Sequence, residues 1–194
     1  MTASVAKLVF VLAVFVFAAI RFPREYLGQK APVARADRGW RERVRLTSAT
    51  LGLGVVPMVF ATAGFAHFAD LAFRPILAWI GVALFVVALW LFWSAHRALG
   101  QNFSSSLVVR KSHTLVTHGI YAYLRHPMYA GFWLWAAAQA LLLQNWLVAL
   151  CGFAGFGILF FGRIGQEERL MLETFGEQYD AFARRTKRLV PWIY

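Results

Sequence analysis

Cysteine is almost missing from this chain: Cys151 is the only one in 194 residues. That excludes a disulfide within the chain and any paired-cysteine metal motif. Acidic residues are scarce as well, nine Asp and Glu against 20 Lys and Arg, which leaves a formal charge of +11. Only 15% of the chain is charged and 60% is hydrophobic, too apolar for an ordinary soluble domain. Internal repeats, low-complexity tracts and polar linkers are lacking too, so residues 1–194 read as one integral membrane domain.

What the chain does have is long hydrophobic blocks, at residues 5–20, 46–66 and 75–93. A fourth, 130–162, is too long for one straight crossing of a hydrocarbon layer about 30 Å thick. Gln144 and Asn145 break it near its middle, so it reads as a helical hairpin, spans four and five. The expected fold class is therefore all-α with five transmembrane helices. Lys7 ahead of the apolar stretch from Leu8 suits a signal peptide, but Arg21-Phe22-Pro23-Arg24 follows where a small-residue cleavage site belongs. The block is expected to remain as an anchor.

Five spans put residues 21–45, 94–129 and 163–194 on one side, with eight, four and six cations. Of the 20 cations, 18 share that side, and Lys7 and Arg74 are the exceptions. Cations beside spans mark the cytoplasmic face, so the N-terminus is expected outside and the C-terminus in the cytoplasm. Charge placed this way orients a membrane protein and attracts anionic headgroups of the bilayer; it argues against nucleic acid as a partner.

Between the spans, the first loop reads as irregular up to WRERVRL (residues 40–46), which is expected to lie along the interface. Gly52, Gly54, Pro57 and Gly64 predict a kinked or closely packed second span. Residues 94–119 read as mixed turn and short extended structure, and Pro127 suits the first turn of the fourth span. From Arg163 the tail reads as helix, with Met171, Phe175, Tyr179 and Phe182 on one apolar stripe and Glu173, Glu177 and Asp180 opposite. Such a cytoplasmic amphipathic helix would pack back on the ends of the spans, before an ending with interfacial Trp192 and Tyr194.

Residues 113–135, HTLVTHGIYAYLRHPMYAGFWLW, stand out because three histidines, an arginine and three tyrosines crowd the mouth of a span. His113, His118 and His126 are five and eight apart, matching no common metal-ligand spacing, and no carboxylate cluster accompanies them, so no metal is expected. No Ser or Cys sits in a recognisable nucleophile elbow. A cationic, adenine-bearing cofactor such as S-adenosylmethionine needs an apolar or aromatic slot, donors for a carboxylate and aromatic faces near the sulfonium. Loop N–H groups, imidazoles and tyrosines supply that menu here, and GRIGQEERL adds Glu167 and Glu168. Each residue also has a plainer reading. His113 and His118 suit loop donors, Arg125 a headgroup anchor, Arg163 a snorkelling cation, and Trp133 and Trp135 packing. Glu168, Glu173 and Glu177 suit a solvated face.

HTLVTHGIYAYLRHPMYAG, followed by a helical hairpin and R-x-x-x-EE-x-x-L-x-x-x-FG-x-x-Y-x-x-F, resembles the isoprenylcysteine carboxyl methyltransferase family. The likeness covers residues 100–194, the expected cofactor-binding catalytic half, and the five-span plan resembles short prokaryotic members in a plasma membrane. It implies S-adenosylmethionine as cofactor, held by His113, Thr114, Leu115 and Val116, with Gly119, Tyr121, His126, Pro127, Met128 and Tyr129 around the nucleoside and methionyl parts. Glu167 would bind from the far wall, and Arg163 would orient the methyl acceptor. Ser106, Arg125 and Glu168 are further candidates.

Methyl transfer to a carboxylate needs no general base, because the acceptor is already ionised; it needs desolvation and orientation. An arginine orients a carboxylate bidentately, as a lysine cannot. The implied activity is thus carboxyl O-methylation of a lipophilic, isoprenylcysteine-like acceptor. RLVPWIY and RHPMY also resemble the C-terminal region of NADPH-using membrane sterol and enone reductases, whose chains are longer. A phospholipid, amine or thiol methyltransferase and a non-catalytic lipid-binding membrane protein are rival readings of the same residues.

Overall fold

The computed structural model describes residues 1–29, 33–36, 39–100, 108–110 and 114–190, with 24–29, 33–36 and 108–110 described as backbone alone. Helix α1 (Ala3–Gln29) is followed by strand β1 (Val33–Ala36) and helix α2 (Trp40–Thr50). A π-helical turn at Leu51–Val55 joins α2 to α3 (Val56–Ala63). Then come α4 (Pro75–Leu99), β2 (Val108–Arg110), α5 (Pro127–Leu143), α6 (Trp146–Phe175) and α7 (Glu177–Arg185).

Among the described residues, four helical stretches are long and apolar enough to cross a membrane: Ala3–Pro23, Trp40–Ala63, Pro75–Leu99 and Trp146–Phe175. The fifth expected span is α5, whose 17 residues rise only about 25 Å, short of a full hydrocarbon layer. Helix α5 packs against α4, α6 and α1, and its small residues fit that position. A Cβ on Gly81 of α4 would come within 3.0 Å of Ala138 O, so α4 and α5 approach at backbone distance, as small residues allow in membrane bundles. Around them Phe17, Phe85, Phe92 and Trp135 meet edge to face, with Phe85–Trp135 centroids 4.7 Å apart.

Two sequence expectations are corrected. Helix α1 does not stop near residue 20 but runs through Pro23 to Gln29. WRERVRL is not a segment separate from the span, for α2 starts at Trp40 and continues through the π turn into the second span candidate. The helical class holds, with one addition: β1 pairs antiparallel with β2 in a two-stranded ribbon. The predicted kink in the second span takes the form of the π turn. Its carbonyls at Gly52 and Leu53 receive Gln139 Nε2 (3.1 Å) and Trp135 Nε1 (3.2 Å) from α5, so backbone acceptors within the bundle stay satisfied.

Gln144 and Asn145 make the α5–α6 turn. Gln144 sits at φ +47, and its side chain receives Arg74 N (2.7 Å) and donates to Arg74 O (3.0 Å). Asn145 caps α6 by accepting from Val148 N (3.0 Å) and donates to Ala66 O (2.9 Å) and Asp70 Oδ1 (2.8 Å). At the other end, the tail is not one helix. Gly176, at φ +53, ends α6 and starts α7, a conformation that costs glycine little. The predicted stripe survives the break: Met171, Phe175, Tyr179 and Phe182 cluster with Tyr121.

Candidate active site

Pro127 opens α5, as its missing N–H favours, and thereby fixes the residues before it at the bundle's end. There the tail returns to residues 114–126, the threshold of α5: Arg125 N donates to Lys187 O (2.7 Å) and His126 N to Arg188 O (3.0 Å). A cavity of about 460 Å³ opens between threshold, tail and spans. Its polar wall includes Thr114, Tyr121, His126, Tyr129, Arg163 and Glu167. Its depth is apolar, with Phe17 of α1, Leu53 and Gly54 of the π turn, Trp135 of α5, and Phe156 and Leu159 of α6.

The polar wall is two linked clusters. In the first, Tyr129 donates to Glu167 Oε2 at 2.5 Å, that oxygen lies 3.8 Å from Arg163 Nε, and Arg163 Nη1 lies 3.3 Å from Glu42 Oε1. His126 stacks on Tyr129, centroids 5.4 Å apart. In the second, Glu168 accepts from Arg125 Nε (3.2 Å) and Arg188 Nε (3.0 Å) and Nη2 (2.6 Å), with His126 Nε2 at 3.4 Å. Arg125 also donates to Ala183 O (2.6 Å) and Thr186 O (2.5 Å). Burial pushes the phenols of Tyr121 and Tyr179 far above their ordinary range, and the charges of Glu167 and Glu168 add to this. Both remain neutral hydroxyls at any physiological pH.

Of the sequence candidates, Thr114, Leu115, Val116, Tyr121, Arg125, His126, Met128, Tyr129, Arg163 and Glu167 all line this one cavity. Gly119 and Pro127 are not on its wall: Gly119 starts a 3-10 turn at φ +62, and Pro127 begins α5. Ser106 and His113 lie outside the described residues, as do Trp192 and Tyr194. His118 is exposed. Three plainer readings are overturned. Arg125 is no headgroup anchor, because its guanidinium turns inward to α7 and Glu168. Glu168 is not on a solvated face, because its side chain is 17% exposed and gathers three basic groups. Arg163 is 6% exposed and ion-paired, not snorkelling. Among the described residues no group of three or more His, Cys, Asp or Glu could hold a metal ion.

Sequence reading missed Glu42 and Arg188. Arg188 left no signal beyond a basic tail. Glu42 did leave one, as a lone acid among four cations in residues 38–45, but its partner is 121 residues away.

Residues 79–173 match the isoprenylcysteine carboxyl methyltransferase (ICMT) family, and they contain α5, Arg163 and Glu167. A protein-S-isoprenylcysteine O-methyltransferase of Schizosaccharomyces pombe is 37% identical over 102 residues, covering 52% of this chain and 43% of the relative. The human enzyme of that name is 33% identical over 96 residues, 48% and 34% of the two chains. A solved structure of a eukaryotic intramembrane Ras methyltransferase, isoprenylcysteine carboxyl methyltransferase, superposes with TM-score 0.54 and 25% identity. It covers 81% of this chain and 54% of that one. The chain thus spans about half the length, or less, of the relatives it matches. The reductase reading finds no counterpart among these likenesses, which are to the isoprenylcysteine carboxyl methyltransferase family and to a solved structure of that fold.

Proposed function

We propose that this chain binds S-adenosylmethionine in the polar part of the cavity and methylates the carboxylate of a lipid-bearing, isoprenylcysteine-like acceptor lying in the apolar part. The observation that carries the reading is the position of Arg163, on the wall of one continuous cavity that is polar toward the threshold and apolar toward the spans.

The donor set fits the cofactor. Leu115, Val116 and Met128 offer apolar surface for an adenine, Tyr121 and Tyr129 offer aromatic faces for a sulfonium, and Glu167 offers an acceptor for hydroxyl or ammonium groups. S-adenosylmethionine held there would supply an electrophilic methyl group to an acceptor oxygen and leave as the neutral thioether, the sulfonium's charge cancelling the carboxylate's. The chain's own part is to strip water from the anion and hold it. That part falls to Arg163, which is desolvated and bracketed by Glu42 and Glu167 on the cavity wall.

The same reading takes α5 as a fifth crossing, shortened because α4 and α6 flank it, with N-terminus outside and C-terminus cytoplasmic. The site-bearing end then faces the cytoplasm, where the cofactor is, and the acceptor enters sideways from the lipid.

The test is binding and transfer on purified protein. S-adenosylhomocysteine should bind, and His126→Ala or Glu167→Ala should each weaken it by about 1–3 kcal/mol. Label from methyl-labelled cofactor should enter a base-labile ester in membrane extracts. Binding of NADPH in place of S-adenosylhomocysteine would sink the proposal.

A further inference from the structure

We infer that Glu42 is a positioning residue for the methyl-acceptor subsite: it holds the Arg163 guanidinium in the orientation from which that side chain meets an anionic acceptor. The inference rests on the acceptor role of Arg163 proposed above and adds a residue from outside the family-matched segment 79–173.

Glu42 is 2% exposed. A carboxylate so deeply buried is costly unless it meets positive charge, and Glu42 meets Arg163 Nη1 at 3.3 Å and Arg45 Nη1 at 3.9 Å. The placement is enforced by the backbone. Residues 42, 45, 48 and 52 form one face of the α2–π segment and run antiparallel along α6. Arg45 reaches Gln166 Oε1 (2.7 Å), and Ser48 Oγ reaches Gly155 O (3.1 Å). Farther along, a Cβ on Gly52 would collide with Cys151 O, and one on Gly155 with Ser48 O. Backbones this close cannot slide past one another, so the register delivers Glu42 to the height of Arg163.

Arginine has a long, mobile stem, and ordering it costs entropy that a preset geometry avoids at the moment of binding. Here carboxylates from two different helices flank the guanidinium, Glu42 at Nη1 and Glu167 beside Nε. Arg45–Gln166 and Ser48–Gly155 already join α2 to α6. The additional pair is made with Arg163, which lines the cavity as Arg45 does not. Positioning requires that choice of partner and a plain helix clamp does not.

The experiment uses the full chain, S-adenosylhomocysteine affinity, thermal unfolding, and methyl transfer to N-acetyl-S-farnesylcysteine by Glu42→Gln, Glu42→Asp, Arg163→Lys and the Glu42→Gln/Arg163→Lys double variant. Glu42→Gln keeps the shape and removes the charge. Its kcat should fall about tenfold or more while S-adenosylhomocysteine affinity stays within about twofold, and Glu42→Asp should fall between it and wild type. Because Glu42 acts through Arg163, the double variant should be no more than about twofold worse than Arg163→Lys alone. Wild-type kcat in Glu42→Gln, or losses that simply multiply in the double variant, overturns the inference. A matching fall in cofactor affinity and unfolding temperature also overturns it, by marking a fold pin. If Glu42→Gln does not fold, Glu42→Asp is read by the same cycle. Full activity of Arg163→Lys is a different failure, since it removes the acceptor reading itself and the inference with it.

Discussion

The two ends of this bundle are built from similar polar residues and do different work. At the α5–α6 turn, Gln144, Asn145, Asp70 and Arg74 answer one another and the nearby backbone at 2.7–3.0 Å, and these four stand apart from the cavity wall. At the other end, Arg163, Glu167, His126 and Tyr129 also pair with one another, but every one of them lines a cavity of about 460 Å³. Polar groups that satisfy only the fold are a tie; polar groups that are tied and still face an open cavity are preorganised for a ligand. The difference teaches that neither burial nor pairing identifies a site in this chain. Convergence on a cavity does.

The largest expected effect that would break this contrast concerns Arg163→Lys. The charge stays and the planar fork is lost, so methyl transfer should drop about a hundredfold while S-adenosylhomocysteine affinity hardly changes. A lysine variant that transfers at the wild-type rate would make the site end no different in kind from the turn end.

Next in size comes a probe of the cavity's apolar depth. A Cβ on Gly54 would meet nothing within 4 Å, although Gly54 lines the cavity. Gly54→Leu should therefore fold, fill part of that depth, and cut transfer to long-tailed acceptors by about tenfold while sparing short-tailed ones. Equal losses for all tail lengths would place Gly54 away from the acceptor.

A smaller effect should appear at the turn end and leave chemistry alone. Asn145→Ala removes the α6 cap and two further hydrogen bonds, which should destabilise the fold by about 1–3 kcal/mol. Unfolding measured in detergent should show that loss, while kcat in the folded fraction stays within about twofold. A large fall in kcat at full stability would mean the two ends are coupled.

Much of this was legible in the sequence because membrane helices write themselves in hydropathy. Gln144 and Asn145 marked the turn, Pro127 the start of α5, and residues within 114–129, with Glu167 and Arg163, the cavity wall. What the sequence hid depends on contacts far apart in the chain. Glu42 meets Arg163 across 121 positions, and Glu168 reads as solvated until the tail brings Arg188 over it. The break at Gly176 was hidden by the unbroken apolar stripe on either side of it, because a glycine at positive φ can turn a helix without disturbing the side chains' common target. The short α5 was hidden because hydropathy counts apolar residues and cannot see that helices, not lipid, surround them.

The smallest effect is a pH dependence confined to the turn end. Burial raises the pKa of Asp70, but the hydrogen bonds from Asn145 and His67 and the charges of His67 and Lys7 outweigh it, leaving the carboxyl below its ordinary 3.8. A carboxyl with a depressed folded pKa gives stability that is fully present above the unfolded value, and that stability disappears as pH falls through the folded one. Asp70 should thus contribute at neutral pH and cease to contribute only below about pH 3.8. The carboxylate and its His67 partner are both well exposed, 41% and 62%, so solvent screening keeps the effect small. Asp70→Asn should unfold slightly sooner than wild type at pH 7, and the gap should close only on acidification below about pH 3.8. A gap that widens with acid would show that Asp70 is held protonated in the fold, and the turn end would then contain a strained group rather than a satisfied one.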